Sequence, residues 1–285
     1  MGRAPECHIY LSNTRISGEH ALFRWRDGRW QIQDLDSRNG TFVDGERIDT
    51  GKSVGITQGS VLSFGSRARY LLLDDGPPRP HAVALERPYR AVEGEVELLA
   101  LPHDESPEFT ISYRDESWWL ESADTLEAIT NGHVLVTSAD KWRLHLPEML
   151  APTVDAEDTA LSIATIALRF MIDGHGRCVG LAARRGAQSL ELKPRTHHAV
   201  LLALAQVRLA DSNSPARDRG WITQDVLLER LGYDSSRLHV EVYRSRKQFA
   251  KAGILDAARL VERRAQDRSL RLGVEGVELV RAQEG

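Results

Sequence analysis

Over residues 9–73 apolar side chains come in short runs cut by the turn dipeptides Asp27-Gly28, Asn39-Gly40, Asp44-Gly45 and Gln58-Gly59, alternating with polar ones as in Trp30-Gln31-Ile32-Gln33. A period of two between closely spaced turns predicts antiparallel strands in an all-β sandwich. The pattern stops at Asp74-Asp75-Gly76-Pro77-Pro78-Arg79-Pro80, which has the punctuation of a linker. Strand-like runs resume beyond it and end at a second linker, MLAPTVDAEDTA over residues 149–160. Residues 166–192 predict two or three short strands around an Asp173-Gly174 turn. The period then lengthens. Pro194 suits the first turn of a helix over residues 195–209, where Val200, Leu204 and Val207 share a face. Thr223 can cap a short helix holding Leu227, Leu228 and Leu231 and ending at Gly232. Residues 234–236 can cap a third, with Leu238, Val242 and Phe249 on one stripe and an end near Gly253. Residues 259–262 and 269–272 read as a closing hairpin about Gln266-Asp267.

The pattern thus divides the 285 residues into three modules, 1–76, 81–148 and 161–280. Charge separates them further. The net −4 is the sum of a near-neutral start, an acidic stretch over 81–160 with 5 Lys and Arg against 17 Asp and Glu, and a basic stretch over 181–285 with 19 against 13. A basic last module suits a polyanion better than the chain as a whole does.

Several function classes drop out. The longest mostly apolar stretch, residues 160–172, contains Arg169 and is far shorter than the roughly 20 residues of a bilayer span. The opening MGRAPECHIY lacks a charged leader and an apolar run, so a cytoplasmic protein with no membrane partner is expected. Cys7 and Cys178 are too few and too far apart for a disulfide framework or a thiolate zinc site. No phosphate-binding Gly-x-x-x-x-Gly-Lys-Ser loop and no nucleophile elbow occur, and Gly174-His175-Gly176-Arg177 reads as a hairpin tip. His197 and His198 occupy adjacent helical positions about 100° apart, which argues against one ion held by both. His103, His133 and His145 alternate with strand residues without metal-ligand spacing. A binder without cofactor, rather than an enzyme, is expected.

Four pieces of the first module fall in order: Gly2-Arg3, then Ser17-Gly18-Glu19-His20, then Ser37-Arg38-Asn39-Gly40-Thr41, then Val61-Leu62-Ser63-Phe64-Gly65. This resembles the forkhead-associated (FHA) domain over residues 1 to about 75. The resemblance implies a phosphothreonine-binding site in the loops at one end of the sandwich. Arg3 would hold phosphate oxygens with its planar fork and Ser17 would add a hydroxyl. Asn39 would hydrogen-bond the ligand backbone, with Arg38 at a neighbouring contact position. Gly2, His20 and Gly40 would support the site, His20 by fixing the Ser17 loop. The implied partners are a threonine-phosphorylated protein and an upstream Ser/Thr kinase. In the family strands precede the Gly-Arg, whereas here only Met1 does; either the real start lies upstream, or another segment fills that edge, or the fold stands without it and the pocket is weak.

The acidic module carries a partial echo of the first. Arg26-Asp27-Gly28-Arg29-Trp30-Gln31-Ile32 returns 88 residues later as Arg114-Asp115-Glu116-Ser117-Trp118-Trp119-Leu120. Thr57-Gln58-Gly59-Ser60-Val61-Leu62 returns 73 residues later as Thr130-Asn131-Gly132-His133-Val134-Leu135. What is lost between the two offsets is the region of the phosphate-site loop. A degenerate FHA-like β unit that packs on the first module without binding phosphothreonine is one reading. Two unrelated hairpins with common strand chemistry is the other.

Strands, three helices and a hairpin, carried by Leu201-Leu202-Ala203-Leu204-Ala205, Trp221-Ile222-Thr223-Gln224, the run from Leu238 to Phe249 and Val261-Glu262-Arg263-Arg264, resemble the winged helix-turn-helix output domain of the OmpR type. The closing Gly-Tyr-Arg-Leu of many such wings is here Ser269-Leu270-Arg271-Leu272. The resemblance implies a third helix in the major groove and a wing on the backbone of double-stranded DNA. The expected contacts are Arg237, Arg244, Lys247 and Lys251 on the helix, and Arg263, Arg264 and Arg268 on the hairpin. Glu241 shares that helix face, and the net charge of +6 is modest for such a partner.

The expected architecture is therefore an N-terminal all-β FHA sandwich, a small β middle segment and a C-terminal α+β winged helix. The expected function is a phosphorylation-responsive transcription regulator. The alternative is a protein-interaction scaffold in Ser/Thr kinase signalling whose winged helix docks protein and never DNA.

Overall fold

The computed structural model describes residues 1–5, 7–65, 67–86, 90–148 and 160–282. Most of the second expected linker lies outside them. The chain forms two compact units, Met1–Pro78 and Arg79–Gly285. Three modules had been expected; the acidic and the basic ones fold into a single unit because their facing surfaces are buried against each other, as described below.

In the first unit, strands β1 (Ala21–Arg26), β2 (Arg29–Asp34), β3 (Thr41–Val43), β4 (Glu46–Arg47), β5 (Ser53–Ile56), β6 (Val61–Phe64) and β7 (Tyr70–Leu71) make two antiparallel sheets, ordered β1-β2-β5 and β4-β3-β6-β7. Alternation does the work: Ile32, Ile56, Leu62 and Phe64 point inward and are at most 4% exposed, while their neighbours face out. The β1–β2 turn places Asp27 and Gly28 both in the left-handed region, at φ 53° and 68°, which matches the twist of a tight hairpin.

The second unit begins with β8 (His81–Ala84), β9 (Ala91–Glu93), β10 (Leu98–Leu101), β11 (Phe109–Arg114), β12 (Ser117–Glu121), β13 (Leu126–Ile129), β14 (Val134–Val136) and β15 (Lys141–His145), in sheets β10-β11-β12-β13 and β14-β15-β8-β9. Part of the sequence echo falls at like positions in this geometry. Trp25 faces Trp30 across the first hairpin and Tyr113 faces Trp118 across the second. Trp30 pairs with Ile56, and Trp118 with Ile129. The turn Asp115-Glu116 repeats the left-handed pair at φ 52° and 59°, and Gly132 repeats Gly59 at φ 84° against 91°. The Trp30 indole donates to Gly76 O, and the Trp118 indole to Pro147 O, each just past the last strand of its sandwich. Two differences stand out. Val61 pairs with Leu71 whereas Val134 pairs with Arg143, a slip of one residue; and the first sandwich extends its sheet beyond β6 with the β3–β4 hairpin, whereas the second extends it on the other side, beyond β15, with β8 and β9.

The rest of the second unit comprises β16 (Ala167–Ile172), β17 (Cys178–Arg185), β18 (Gln188–Leu192), α1 (His198–Ala210), β19 (Ile222–Thr223), α2 (Gln224–Leu231), α3 (Ser235–Lys251), a 3-10 turn (Ala257–Leu260), β20 (Val261–Arg264), β21 (Ser269–Leu272) and β22 (Gly276–Arg281). The sheets are β18-β17-β16-β22, with β22 parallel to β16, and β19-β21-β20. Helix α2 follows Thr223 and stops at Gly232 in the left-handed region at φ 64°. The Asp234 carboxylate caps α3 by accepting from Arg237 N at 2.7 Å. Leu238, Val242 and Phe249 of α3 enter a core with Val200, Leu201 and Leu204 of α1. The closing hairpin starts two residues later than its sequence suggests, because residues 257–260 close into the 3-10 turn.

Candidate functional site

The motif residues of the first unit meet at one end of its sandwich. Gly2 lies so close to the 16–18 loop that a Cβ there would strike the Gly18 carbonyl, which is why the position takes glycine. Arg3 is then tied to that loop twice: its N–H donates to Ser17 O at 2.9 Å and its Nε to Ile16 O at 3.2 Å. The rest of its guanidinium is exposed. The Ser17 hydroxyl accepts from Arg38 N at 3.1 Å, and Asn39 Nδ2 donates to Arg15 O at 2.7 Å. Arg3, Ser17, Arg38 and Asn39 are therefore brought to one surface by bonds that cross between two loops.

His20 holds the loops from below. It is fully buried, its Nδ1 accepts from Ser17 N at 3.1 Å, and its Nε2 lies 3.3 Å from Gly40 O, which fixes the proton on Nε2. Burial pushes its pKa below the ordinary value, against the opposing pull of Gly40 O and the Asp34 charge, so the ring is neutral at pH 7. Gly40 has φ 82°, and the Arg47 side chain crosses its Cα. Beneath lies buried Asp34, a residue the sequence motif did not single out. It accepts from Ser37 N at 2.9 Å, from Ser37 Oγ at 2.6 Å and from Thr41 Oγ1 at 2.5 Å, and Ser37 Oγ accepts in turn from Gly40 N. Burial alone would raise the Asp34 pKa; these hydrogen bonds outweigh it and hold the carboxyl below its ordinary value. The Ser-x-Asn-Gly-Thr loop is thus stapled to a carboxylate at the end of β2.

The seven cations expected to meet DNA are engaged within the chain. Five of them reach the acidic sandwich, and of these Lys251, Arg268 and Arg244 keep 59%, 50% and 42% of their side chains exposed. Lys247 bonds Asp104, which also receives the Tyr243 hydroxyl. Arg244 donates to Glu105 O at 2.9 Å and pairs with Glu241, and Lys251 lies 3.7 Å from Glu95. Arg263 reaches Ser122 O at 2.9 Å and lies 3.7 Å from Glu121, and Arg268 pairs with Asp124 at 3.0 Å. The other two stack on rings: Arg237 lies over Tyr233 and Arg264 over Trp221, each at 3.9 Å. At the centre Glu121 and Arg246 are each 1% exposed and 3.1 Å apart, with Arg114 2.6 Å from the same carboxylate. Leu98 and Ala100 of β10 pack against Tyr243 and Ala258 beside them.

The face that receives α3 is the outer face of β11 and β12. Its Thr110, Ser112, Arg114 and Glu121 are at most 7% exposed. In the first unit the positions 88 residues earlier are Leu22, Arg24, Arg26 and Gln33, none of them buried. One face of the same hairpin is wetted in one unit and dry in the other.

The Nε2 atoms of His197 and His198 both reach Gln248 Oε1, at 2.7 and 2.8 Å. Among the described residues no three His, Cys, Asp or Glu side chains converge as a metal ion would need. No described helix is long and apolar enough to cross a membrane.

Residues 1–65 match the family model of the FHA domain, and the N-terminal unit is an FHA domain. The "Glycogen accumulation regulator GarA" of Mycolicibacterium smegmatis is 41% identical over 49 residues, 17% of this chain and 31% of that protein. The "Oxoglutarate dehydrogenase inhibitor" of Corynebacterium diphtheriae is 44% identical over 45 residues, 16% of this chain and 32% of that protein. A crystal structure of the FHA domain of the CT664 protein from Chlamydia trachomatis is 32% identical, covering 26% of this chain and 71% of that one, with a TM-score of 0.24. The chain spans about a third of the length of these two curated relatives. Both are named for regulation of other proteins or pathways.

Proposed function

We propose that this chain is a phosphothreonine-reading adaptor that acts in Ser/Thr kinase signalling through its first unit. The observation that carries the reading is the placement of Arg3, Ser17, Arg38 and Asn39 on one surface, held by bonds between the loops rather than by a ligand. A fork of guanidinium donors beside a hydroxyl is suited to a phosphate dianion, and an amide on the adjoining loop is suited to a peptide backbone. The partner is a threonine-phosphorylated protein, and the kinase is a separate one.

The order of strands, helices and hairpin from β16 to β22 supports a winged helix in the second unit. We assign it the scaffold role rather than DNA binding. Five of the seven expected DNA contacts bond the acidic sandwich, and counterion release, the main source of DNA affinity, needs those cations free. The acidic sandwich itself is best read as a second FHA-like unit: paired residues match at both offsets, while the β3–β4 region with its Asn39 loop has no counterpart in it.

The test is fluorescence anisotropy of the full chain with a phosphothreonine peptide array and its unphosphorylated twins. The phosphorylated peptides are expected to bind selectively. Arg3→Ala with Ser17→Ala removes two charge-assisted hydrogen bonds of about 1.5–3 kcal/mol each, which corresponds to at least about a hundredfold loss. Retained binding in the folded double variant would overturn the pocket assignment.

A further inference from the structure

A cleft of about 270 Å³ opens in the second unit between the Asp115 turn and the β20–β21 hairpin, lined by the guanidinium groups of Arg114, Arg259, Arg263 and Arg271 and flanked by the Trp221 indole. The outer pair of arginines is balanced: Arg259 meets Asp115, and Arg271 meets Glu262, each at 2.7 Å. The inner pair is different. Arg114 and Arg263 belong to the Glu121 cluster, in which one carboxylate serves three guanidiniums, those two and Arg246. All four side chains are at most 10% exposed.

That cluster holds three cations against one anion, an excess of two positive charges in a dry place. The nearby carboxylates serve other cations: Asp104 serves Lys247, Asp124 serves Arg268, Glu241 serves Arg244, and Asp115 and Glu262 in the cleft wall serve Arg259 and Arg271. His239, beside the cluster, is neutral because burial pushes its pKa down to about 4. Arg246 Nε has no hydrogen-bond partner among the described residues. Burying uncompensated charge is among the most expensive things a fold does. The cluster meets solvent where Arg114 and Arg263 line the cleft, so an anion seated there would neutralise the excess at the place where it is accessible.

We propose that this cleft is a binding site for a small phosphate-bearing anion. Planar arginine forks favour the tetrahedral, multidentate oxygens of phosphate over a spherical halide. The volume lies just under the lower bound of about 300 Å³ for pockets that take drug-sized ligands, which suits one or two phosphate groups. The indole is already engaged by cations: Arg264 and Arg271 lie over it at 3.9 and 4.7 Å. The anion, free or as the diphosphate of a nucleotide, is therefore held by its charge and not by a base.

The experiment is calorimetric titration of the full chain with pyrophosphate, and separately with ADP, against sodium chloride at matched ionic strength. It is done in the Arg3→Ala, Ser17→Ala background so that the FHA loops do not contribute. The expected result is saturable binding of one pyrophosphate per chain, weakened at least about tenfold by Arg259→Gln, the loss of one charge-assisted hydrogen bond. Arg259 is on the exposed rim, so this variant keeps its fold by circular dichroism; Arg271→Gln is the second variant and is expected to weaken binding as well. ADP binding as tight as pyrophosphate assigns the anion to a nucleotide, and weaker ADP binding assigns it to the free diphosphate. No saturable pyrophosphate signal beyond that of chloride, or binding unchanged in both variants, would overturn the proposal.

Discussion

Single residues in this protein act mainly through the backbone groups they satisfy. Glu97 is one that sequence reading passes over. Its carboxylate accepts from the N–H groups of Asp256 and Ala258 and so caps the 3-10 turn that α3 leads into. Burial, with the nearby Asp256 charge, raises its pKa to about 7 in spite of those bonds. A folded-state pKa above the ordinary 4.5 means that the folded form prefers the proton. This residue's contribution to stability is therefore greatest below pH 4.5 and is lost as the pH rises through about 7. Glu97→Gln is expected to be more stable than the parent at pH 8, by about 1–2 kcal/mol after allowance for solvent screening, and close to it at pH 4.5. Urea melts of the two chains at both pH values check this; equal differences at the two would contradict it. His20 has the opposite sign. Its pKa is depressed from 6.5, so the support it gives the Ser17 and Gly40 loops is complete above that value and is lost as the pH falls through the lower, folded-state pKa.

At the scale of elements, the Asp115-Glu116 turn shows what a repeated hairpin costs without its glycine. Asp27-Gly28 and Asp115-Glu116 adopt the same left-handed pair, but Glu116 bears a Cβ at φ 59°. Glu116→Gly is expected to stabilise the second unit by about 0.5–1 kcal/mol in a chemical melt; a loss of stability would mean that the glutamate contributes more than its backbone strain removes. Larger by far is the Glu121 cluster. Glu121→Gln leaves three guanidiniums without their counter-charge and is expected to cost about 3–5 kcal/mol, with the loss of the α3 interface visible as a second unfolding transition. A single transition with an unchanged midpoint would show that the interface does not depend on it. What the sequence revealed of these elements follows from range. Gly232 and Asp234 mark helix ends through bonds to residues within a few positions, whereas Thr223 stands at the start of α2 without the side-chain capping bond its type suggests; the paired strands of both sandwiches follow local alternation. Arg3, Ser17, Arg38 and Asn39 were expected together from their motif spacing and lie on neighbouring loops, while their use in binding a phosphopeptide is the proposal tested below. The docking of α3 was not legible in the sequence. It rests on pairs such as Lys247 with Asp104 and Arg246 with Glu121, more than a hundred positions apart, and a basic helix stripe looks the same whether it faces water, DNA or an acidic sheet. The one hint was the charge asymmetry, −12 over residues 81–160 against +6 over residues 181–285, which points to partners within the same chain as readily as outside it.

For the whole molecule, the β1–β2 and β11–β12 hairpins have opposite surroundings. The first unit keeps its loop end assembled, while the second buries the outer face of its hairpin under a helical domain. Full-length protein mixed with random or genomic DNA fragments is accordingly expected to show no saturable anisotropy change even at about 50 mM salt, where phosphate contacts are strongest. Salt-sensitive binding with a preference for particular fragments would restore the regulator reading. The most direct measurement on the central claim is an amide chemical-shift map of the full chain during titration with a phosphothreonine peptide. The shifts are expected to concentrate at Gly2 to Ala4, Ile16 to Gly18 and Arg38 to Gly40, with residues 79–285 unmoved. A phosphorylated peptide that perturbs none of those loops, or perturbs the second unit instead, would contradict the account.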